Sequence, residues 1–502
     1  MNPAQPKAQA VAIKQGKIQK VGTTQQIKEL IGKNTKILDL KDKTVLPGLI
    51  DTHIHVADFG RCLMWLDLTS AESIKELQRL LKEKAKQTPA GHWIVGRGWN
   101  QNRFKEKRMP KRSELDVAAP DNPVILYHEA AMICAVNTRA LKLAGVTDYT
   151  VAPLGGVIDK ENGELTGVLR DSATSLVWQV VPEPSEAELL EATASACQKV
   201  VEAGLTSVHW LVLSENELPL IENLSAQGKL PMRVNVVVPE AFLLKVQNFK
   251  TADRAMLRLG GALIAVDGYL DSKTAALSEP YSDEPENSGK LLLGEKALAD
   301  SVEKVLGAGL QPIIHAMGDH AVDAALKVIE QTGGDVQFRM EQAALLNPEL
   351  IKRLKKQGVV VSVQPKVISS EFSVWSATKH LGERAKWLHP LKSLLTAGVH
   401  VVGGSDCPME PLSPLLGIQE TVVRAAFPEQ SLSVMEALRM YTVDAAFSSG
   451  EDKVKGSVEE GKIADLTVLS SDPTAIAADK IADTAVELTI INGKVAYSSL
   501  SP

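Results

Sequence analysis

The feature that most restricts the fold is a long alternation of short apolar strand patterns with amphipathic helical patterns through the middle of the chain. Strand patterns fall at residues 124–127, 206–209, 263–266, 312–315, 359–364 and 400–404. Helical patterns fall at 186–202, 294–308, 321–331, 347–357 and 390–397. This order builds a parallel α/β sheet, because each parallel connection needs a crossover and a helix supplies it. No GxGxxG or GxxxxGK[ST] run is present, so a nucleotide-binding open sheet has no support. The candidate strands outnumber eight, and the segment 59–155 is long for one strand–helix unit. It is expected to be an insertion near the mouth of the sheet.

The two ends read differently. Residues 8–22 alternate apolar and polar side chains about Gln15-Gly16, the pattern of a β-hairpin. Residues 464–469 read as a strand, and 486–495 carry Asn492-Gly493, a strong two-residue turn signal. Neither end has enough strands to close a core alone. The expectation is one small β-sandwich from residues 1–46 and 449–502, flanking a central domain of residues 47–448. A length of 502 residues, 44% of them apolar, suits a large domain plus a small one.

Charge excludes some partners. The 55 basic and 61 acidic residues leave a net charge of -6. The basic cluster at Lys105, Lys107, Arg108, Lys111 and Arg112 contains acids and reads as a solvated face, so no nucleic acid is expected. Four cysteines without a close pair argue against a zinc finger or a redox dithiol and for a reducing compartment. The start of the chain lacks the apolar core of a signal peptide, and no stretch reaches the roughly 20 apolar residues of a membrane span. A cytoplasmic protein with a small-molecule substrate, no membrane partner and an open question of homo-oligomer formation is the expectation.

The strongest chemical signal is VLPGLIDTHIHV at 45–56. A strand sends alternate side chains to one face, so His53 and His55 point the same way. Two imidazoles at a strand's C-terminal end make a ready metal site. His315 closes QPIIH and Asp406 closes VHVVGGSD. Each is a polar group ending an apolar run, although a helix N-cap explains Asp406 nearly as well. Together the four give three imidazoles and a carboxylate, a set suited to one Zn2+, with Fe2+ and Mn2+ as alternatives. Weaker candidates for contact with substrate are Gln342, Lys366, His209, His128 and Trp99. Asp319, at the start of helix 321–331, reads as an N-terminal helix residue satisfying free N–H groups.

These segments together resemble the amidohydrolase superfamily, in the branch that includes N-substituted formamide deformylases. The resemblance also rests on residues 155–170, DGYLDSKTAAL at 267–277, HAMGDHA at 315–321, RMEQAAL at 339–345, GGSDCP at 403–408 and GSVEEGKIADLTVL at 456–469. It implies a (β/α)8 TIM barrel with a terminal β-sandwich, and hydrolysis of a carbon–nitrogen bond outside ordinary peptides (an amide, formamide or cyclic amide). The resemblance has gaps. A carboxylated lysine that bridges two metals in this branch falls at Leu263, and the histidine of its Glu-His pair is Gln342. What survives matches mononuclear members, in which a metal-activated hydroxide attacks and Asp406 serves as ligand and proton shuttle. Two other readings stay open: a mononuclear deaminase of a heterocycle, and a catalytically inactive barrel that binds a ligand or a regulatory partner.

Ligand arithmetic predicts one tightly bound divalent ion per chain. A second would lack both the bridging carboxylate and an imidazole of its own, and two cations a few ångströms apart repel strongly. Metal analysis of protein purified without chelators and dialysed is expected to return one equivalent; two that survive dialysis would refute the single-ion reading.

Overall fold

The computed structural model describes residues 1–129, 132–251, 253–374 and 377–500. Its centre is one sheet of eight parallel strands: β1 (Leu49–Ile54), β2 (Leu205–Leu211), β3 (Arg233–Pro239), β4 (Leu257–Ala265), β5 (Gln311–Ala316), β6 (Arg339–Gln342), β7 (Val360–Val363) and β8 (Val401–Gly403). Each pairs in parallel with the next in chain order, in registers such as Val208 with Val234, Ile264 with Ile314 and His315 with Glu341. All seven residues of β2 are buried, as are all of β1, β6, β7 and β8. Near-continuous burial is what strands covered on both faces require. Helices Glu295–Gly307, Asp319–Thr332 and Pro348–Lys356 follow β4, β5 and β6. The last starts cleanly because Asn347 accepts a bond from the Leu350 N–H at 3.0 Å and Pro348 takes the first position.

The sheet closes at its C-terminal rim. Just beyond β8, the Asp406 N–H donates to the His53 carbonyl at 2.7 Å, and the His55 N–H donates to the Cys407 carbonyl at 2.9 Å. The result is the expected TIM barrel, and the seam runs through three of the expected ligand positions, His53, His55 and Asp406.

Both ends of the chain contribute to the β-structure beside the barrel. Thr44–Pro47 lies antiparallel to Leu466–Leu469, which is followed in the same sheet by Val486–Ile491 and Lys494–Ser498. Ala10–Lys14 and Lys17–Gly22 form a separate hairpin. Gln15, Gly16, Asn492 and Gly493 all take positive φ, as two-residue hairpin turns demand. Ile18 of the hairpin shares a core with Ala464, Leu466, Val468, Leu488 and Ile490. This structure and the barrel form one compact unit, residues Met1–Phe59 with Thr193–Pro502. The Arg233 guanidinium, at the entry to β3, grips the Asp465 carboxylate with two bonds of 2.6 and 3.1 Å, both side chains about 95% buried.

Gly60–Ala192 is a second compact unit. It contains a six-stranded sheet in the order Leu66–Asp67, Ile94–Trp99, Val124–His128, Ile133–Val136, Glu164–Asp171, Gly156–Glu161. The expected insertion 59–155 therefore stops short, because the segment 155–170 is a hairpin of this sheet turning at Asn162-Gly163. The strand at 124–127 also belongs here, not to the barrel. Three of the five cations in the basic cluster are in ion pairs: Arg108 with Glu114, Lys111 with Glu161 and Arg112 with Glu164. Among the described residues, no helix is long and apolar enough to cross a membrane.

Removing one partner of a buried pair leaves the other charge uncompensated, at a cost of roughly 3–5 kcal/mol. Asp465→Ala is expected to lower the unfolding free energy by about that much in urea titrations. A loss below about 1 kcal/mol would show that Arg233 finds another partner, since that is the range of an exposed pair.

Candidate metal site

Three ligand atoms, one each from His53, His55 and Asp406, lie within 4.8 Å of one another. The two imidazole rings meet edge-on, with centroids 5.4 Å apart. His55 Nδ1 faces the Leu211 carbonyl at 3.0 Å, so the proton resides there and Nε2 offers its lone pair. Nε2 of His55 and Nε2 of His53 approach the same Asp406 oxygen, Oδ1, at 3.1 and 3.5 Å. Asp406 itself has a φ of +57°. The close approach behind it requires glycine: a Cβ on Gly404 would sit 2.6 Å from the His53 nitrogen.

His53 is held from a second side. Its Nδ1 bonds Glu341 Oε2 at 2.8 Å. Burial works against a charged imidazole here, but Glu341 and Asp406 outweigh it and hold the His53 pKa up to about 10. Burial also opposes charge on the carboxylates, yet Arg339 and His53 bring Glu341 down to about 2, and His53 leads in holding Asp406 below its ordinary range. This is an environment built around positive charge. A carboxylate behind a ligating histidine is the usual way to fix its tautomer.

His315 ends β5 on the same rim, but its nitrogens lie outside the group of three. Its Nε2 is buried and makes no hydrogen bond among the described residues. Burial first, and then the charge on His53, lowers its pKa to about 4, so it is a neutral donor at physiological pH. An orphaned imidazole nitrogen beside two others and a carboxylate fits a divalent transition ion. Leu263 packs against Leu211, Val237 and Ile313, so hydrocarbon stands where the sequence resemblance puts a bridging lysine.

The weaker candidates fare differently. Gln342 is buried at the end of β6 with its Oε1 unbonded among the described residues, and both it and Ala343 have positive φ. Lys366 is tied to Glu420 at 3.2 Å and Ser369 at 2.7 Å. His209 faces Arg339, not the three-ligand group. Trp99 is corrected: it is fully buried in the core of the second unit, donates to the Leu126 carbonyl at 2.8 Å and stacks on Phe104. His128 packs edge-on against Trp99 in that unit. Asp319 opens its helix as expected, but its hydrogen-bond partners are corrected. Gly318 is the N-cap, and the Asp319 carboxylate accepts from the Ser278 N–H and hydroxyl, pinning the loop after β4 instead of the helix N–H groups.

Two further buried carboxylates brace the rim. Asp51 accepts from the His53 and Ser405 N–H groups, both at 3.0 Å, and so staples β1 to the loop after β8. Asp267 accepts from Met317, Gly318 and Ala276 N–H groups, each at 2.9 Å. The spacing of two from Asp51 to His53 was a legible signal for the first; nothing local marks the second.

Gly404→Ala is expected to force β1 and the loop after β8 apart, costing about 1–3 kcal/mol as overpacking does. Thermal melting and metal content, measured together, are expected to fall in step.

The amidohydrolase family profile matches residues 36–497. The putative amidohydrolase YtcJ of Bacillus subtilis (strain 168) is 33% identical over 98% of this chain and 96% of its own length. The N-substituted formamide deformylase of Arthrobacter pascens is 28% identical, over 98% and 95%. An uncharacterized metal-dependent hydrolase from Pyrococcus horikoshii superposes with a TM-score of 0.75 at 30% identity, over 93% of this chain and 94% of that one. A barrel that closes through paired histidines and an aspartate thus sits within an end-to-end family match, and the chain belongs to the amidohydrolase family.

Proposed function

We propose that the chain is a metal-dependent hydrolase that cleaves a carbon–nitrogen bond of an amide, formamide or cyclic amide in a small molecule. The observation that carries this is the convergence of His53 Nε2 and His55 Nε2 on Asp406 Oδ1 at the barrel rim. Support comes from the formamide deformylase, which the chain resembles along nearly its whole length. His53, His55 and Asp406, with His315 behind them, would hold one divalent ion, and Zn2+ suits that donor set. Such an ion supplies Lewis-acid activation of water and of the scissile carbonyl.

The residues account for the rest. Glu341 and the Leu211 carbonyl hold the two histidine rings by Nδ1, so neither turns when the site fills. Asp406 takes the proton of the attacking water and returns it to the departing nitrogen, on its second oxygen, Oδ2. That nitrogen is a poor leaving group until protonated, so the return step decides whether the C–N bond breaks. Gln342 brings a buried amide with an unbonded oxygen to the rim, suited to an N–H donor on the substrate. None of the four cysteines forms a disulfide among the described residues, in keeping with a reducing, cytoplasmic setting.

A panel of N-substituted formamides, anilides and cyclic amides, read by amine release, is the test. Turnover of at least one class is expected, with Asp406→Asn lowering kcat by about 10²–10⁴ as loss of a general acid–base does. Ammonia release from a heterocycle, with no turnover of the amides, would move the assignment to a deaminase. Absence of metal under every condition would leave the inactive barrel standing.

A further inference from the structure

The inside of the barrel carries an arginine that reaches the ligand-bearing strand twice. Arg339 on β6 is fully buried. Its Nη2 donates to the Thr52 carbonyl at 2.9 Å, on the residue just before His53. Its Nε donates to Glu341 Oε1, and the other oxygen of that carboxylate bonds His53 Nδ1 at 2.8 Å. Its Nη1 lies 2.6 Å from Nδ1 of His209 on β2. β6 is separated from β1 by β7 and β8, and from β2 by β3, β4 and β5, so these bonds cross the interior. His209 must accept there, because a guanidinium has no lone pair to offer. Its pKa is held well below the ordinary value by burial first and then by the Arg339 charge. The guanidinium therefore grips the main chain before His53 and, through Glu341, the ring of His53.

We propose that Arg339 and Glu341 act as one positioning unit that sets the orientation and tautomer of His53, so that metal affinity is governed by an arginine that touches no ligand. This rests on the metal-site reading above. Neither residue contacts the reacting atoms; both act through His53. A flat five-donor fork suits this task and an ammonium does not, since one group must bond a carboxylate, a carbonyl and an imidazole in different directions. Because Arg339 acts on the ring only through Glu341, the two residues should not contribute independently.

The test uses the full chain stripped of metal and titrated with Zn2+ against a chromophoric chelator. Wild type, Glu341→Gln, Arg339→Lys and the double variant are compared. Loss of an outer-shell partner weakens metal binding by about 10–100-fold, and each single variant is expected to fall in that range. The double variant is expected to bind no more weakly than the poorer single variant. Co2+ substitution adds a spectroscopic readout: the visible bands should shift in the variants, because the His53 ring is no longer fixed. Melting of the metal-free proteins separates affinity from folding, and should Arg339→Lys fail to fold, Glu341→Gln alone must still weaken Zn2+ and shift the Co2+ bands. Unchanged affinity in folded Glu341→Gln, or losses that add in the double variant, overturns the positioning unit while leaving the metal site intact. Failure of wild type to bind Zn2+ at all overturns the metal-site reading and this inference with it.

Discussion

The constraint on which the structure depends is closure of the barrel between its first and last strands. An eight-stranded parallel sheet leaves unpaired N–H and C=O groups on both edges unless they meet, and buried unpaired groups are costly. Here they meet through Asp406 and His53, and through His55 and Cys407, with the Asp51 carboxylate capping the Ser405 N–H at the same place. Joining the edges and assembling the ligands are the same event. Gly404 is small because the strands must approach there, and Asp406 adopts a left-handed backbone there.

Around that seam the charges are arranged in order from inside to rim. Arg339 faces Glu341, Glu341 faces His53, and His53 faces Asp406. Each buried charge has an opposite or polar partner, which is what makes its burial tolerable. The apolar layer of Leu211, Val237, Leu263 and Ile313 adjoins this polar chain on strands β2 to β5.

Much of this was legible in the residues, for stated reasons. Strand–helix alternation and the paired histidines are local patterns with a fixed period, and the turns Gln15-Gly16 and Asn492-Gly493 are local chemistry. What escaped was long-range. Glu341 and His53 are 288 positions apart, and Arg339 and His209 are 130 apart, so no window contains either pair. Trp99 shows the limit differently: GRGWNQN gives no sign of which sheet its strand joins, and the indole serves a core in the second unit. Asp319 is adjacent to a true cap position, but Ser278, from a loop 41 residues away, claimed its carboxylate.

The pairing of Thr44–Pro47 with Leu466–Leu469 has a consequence for how the chain is made. The Leu49 N–H bonds the Thr467 hydroxyl across 418 positions. On a ribosome Thr44–Pro47 emerges early and its sheet partner emerges almost last. Domains generally fold as they are synthesised, N-terminal parts first, but this barrel has no seam to close until translation is nearly over. For most of its synthesis the nascent chain must hold β1 with one edge open, beside the paired histidines, until the loop after β8 arrives to close it. Such a chain invites a chaperone's attention throughout elongation, and a premature stop anywhere before residue 466 would leave Thr44–Pro47 without the strand it pairs with.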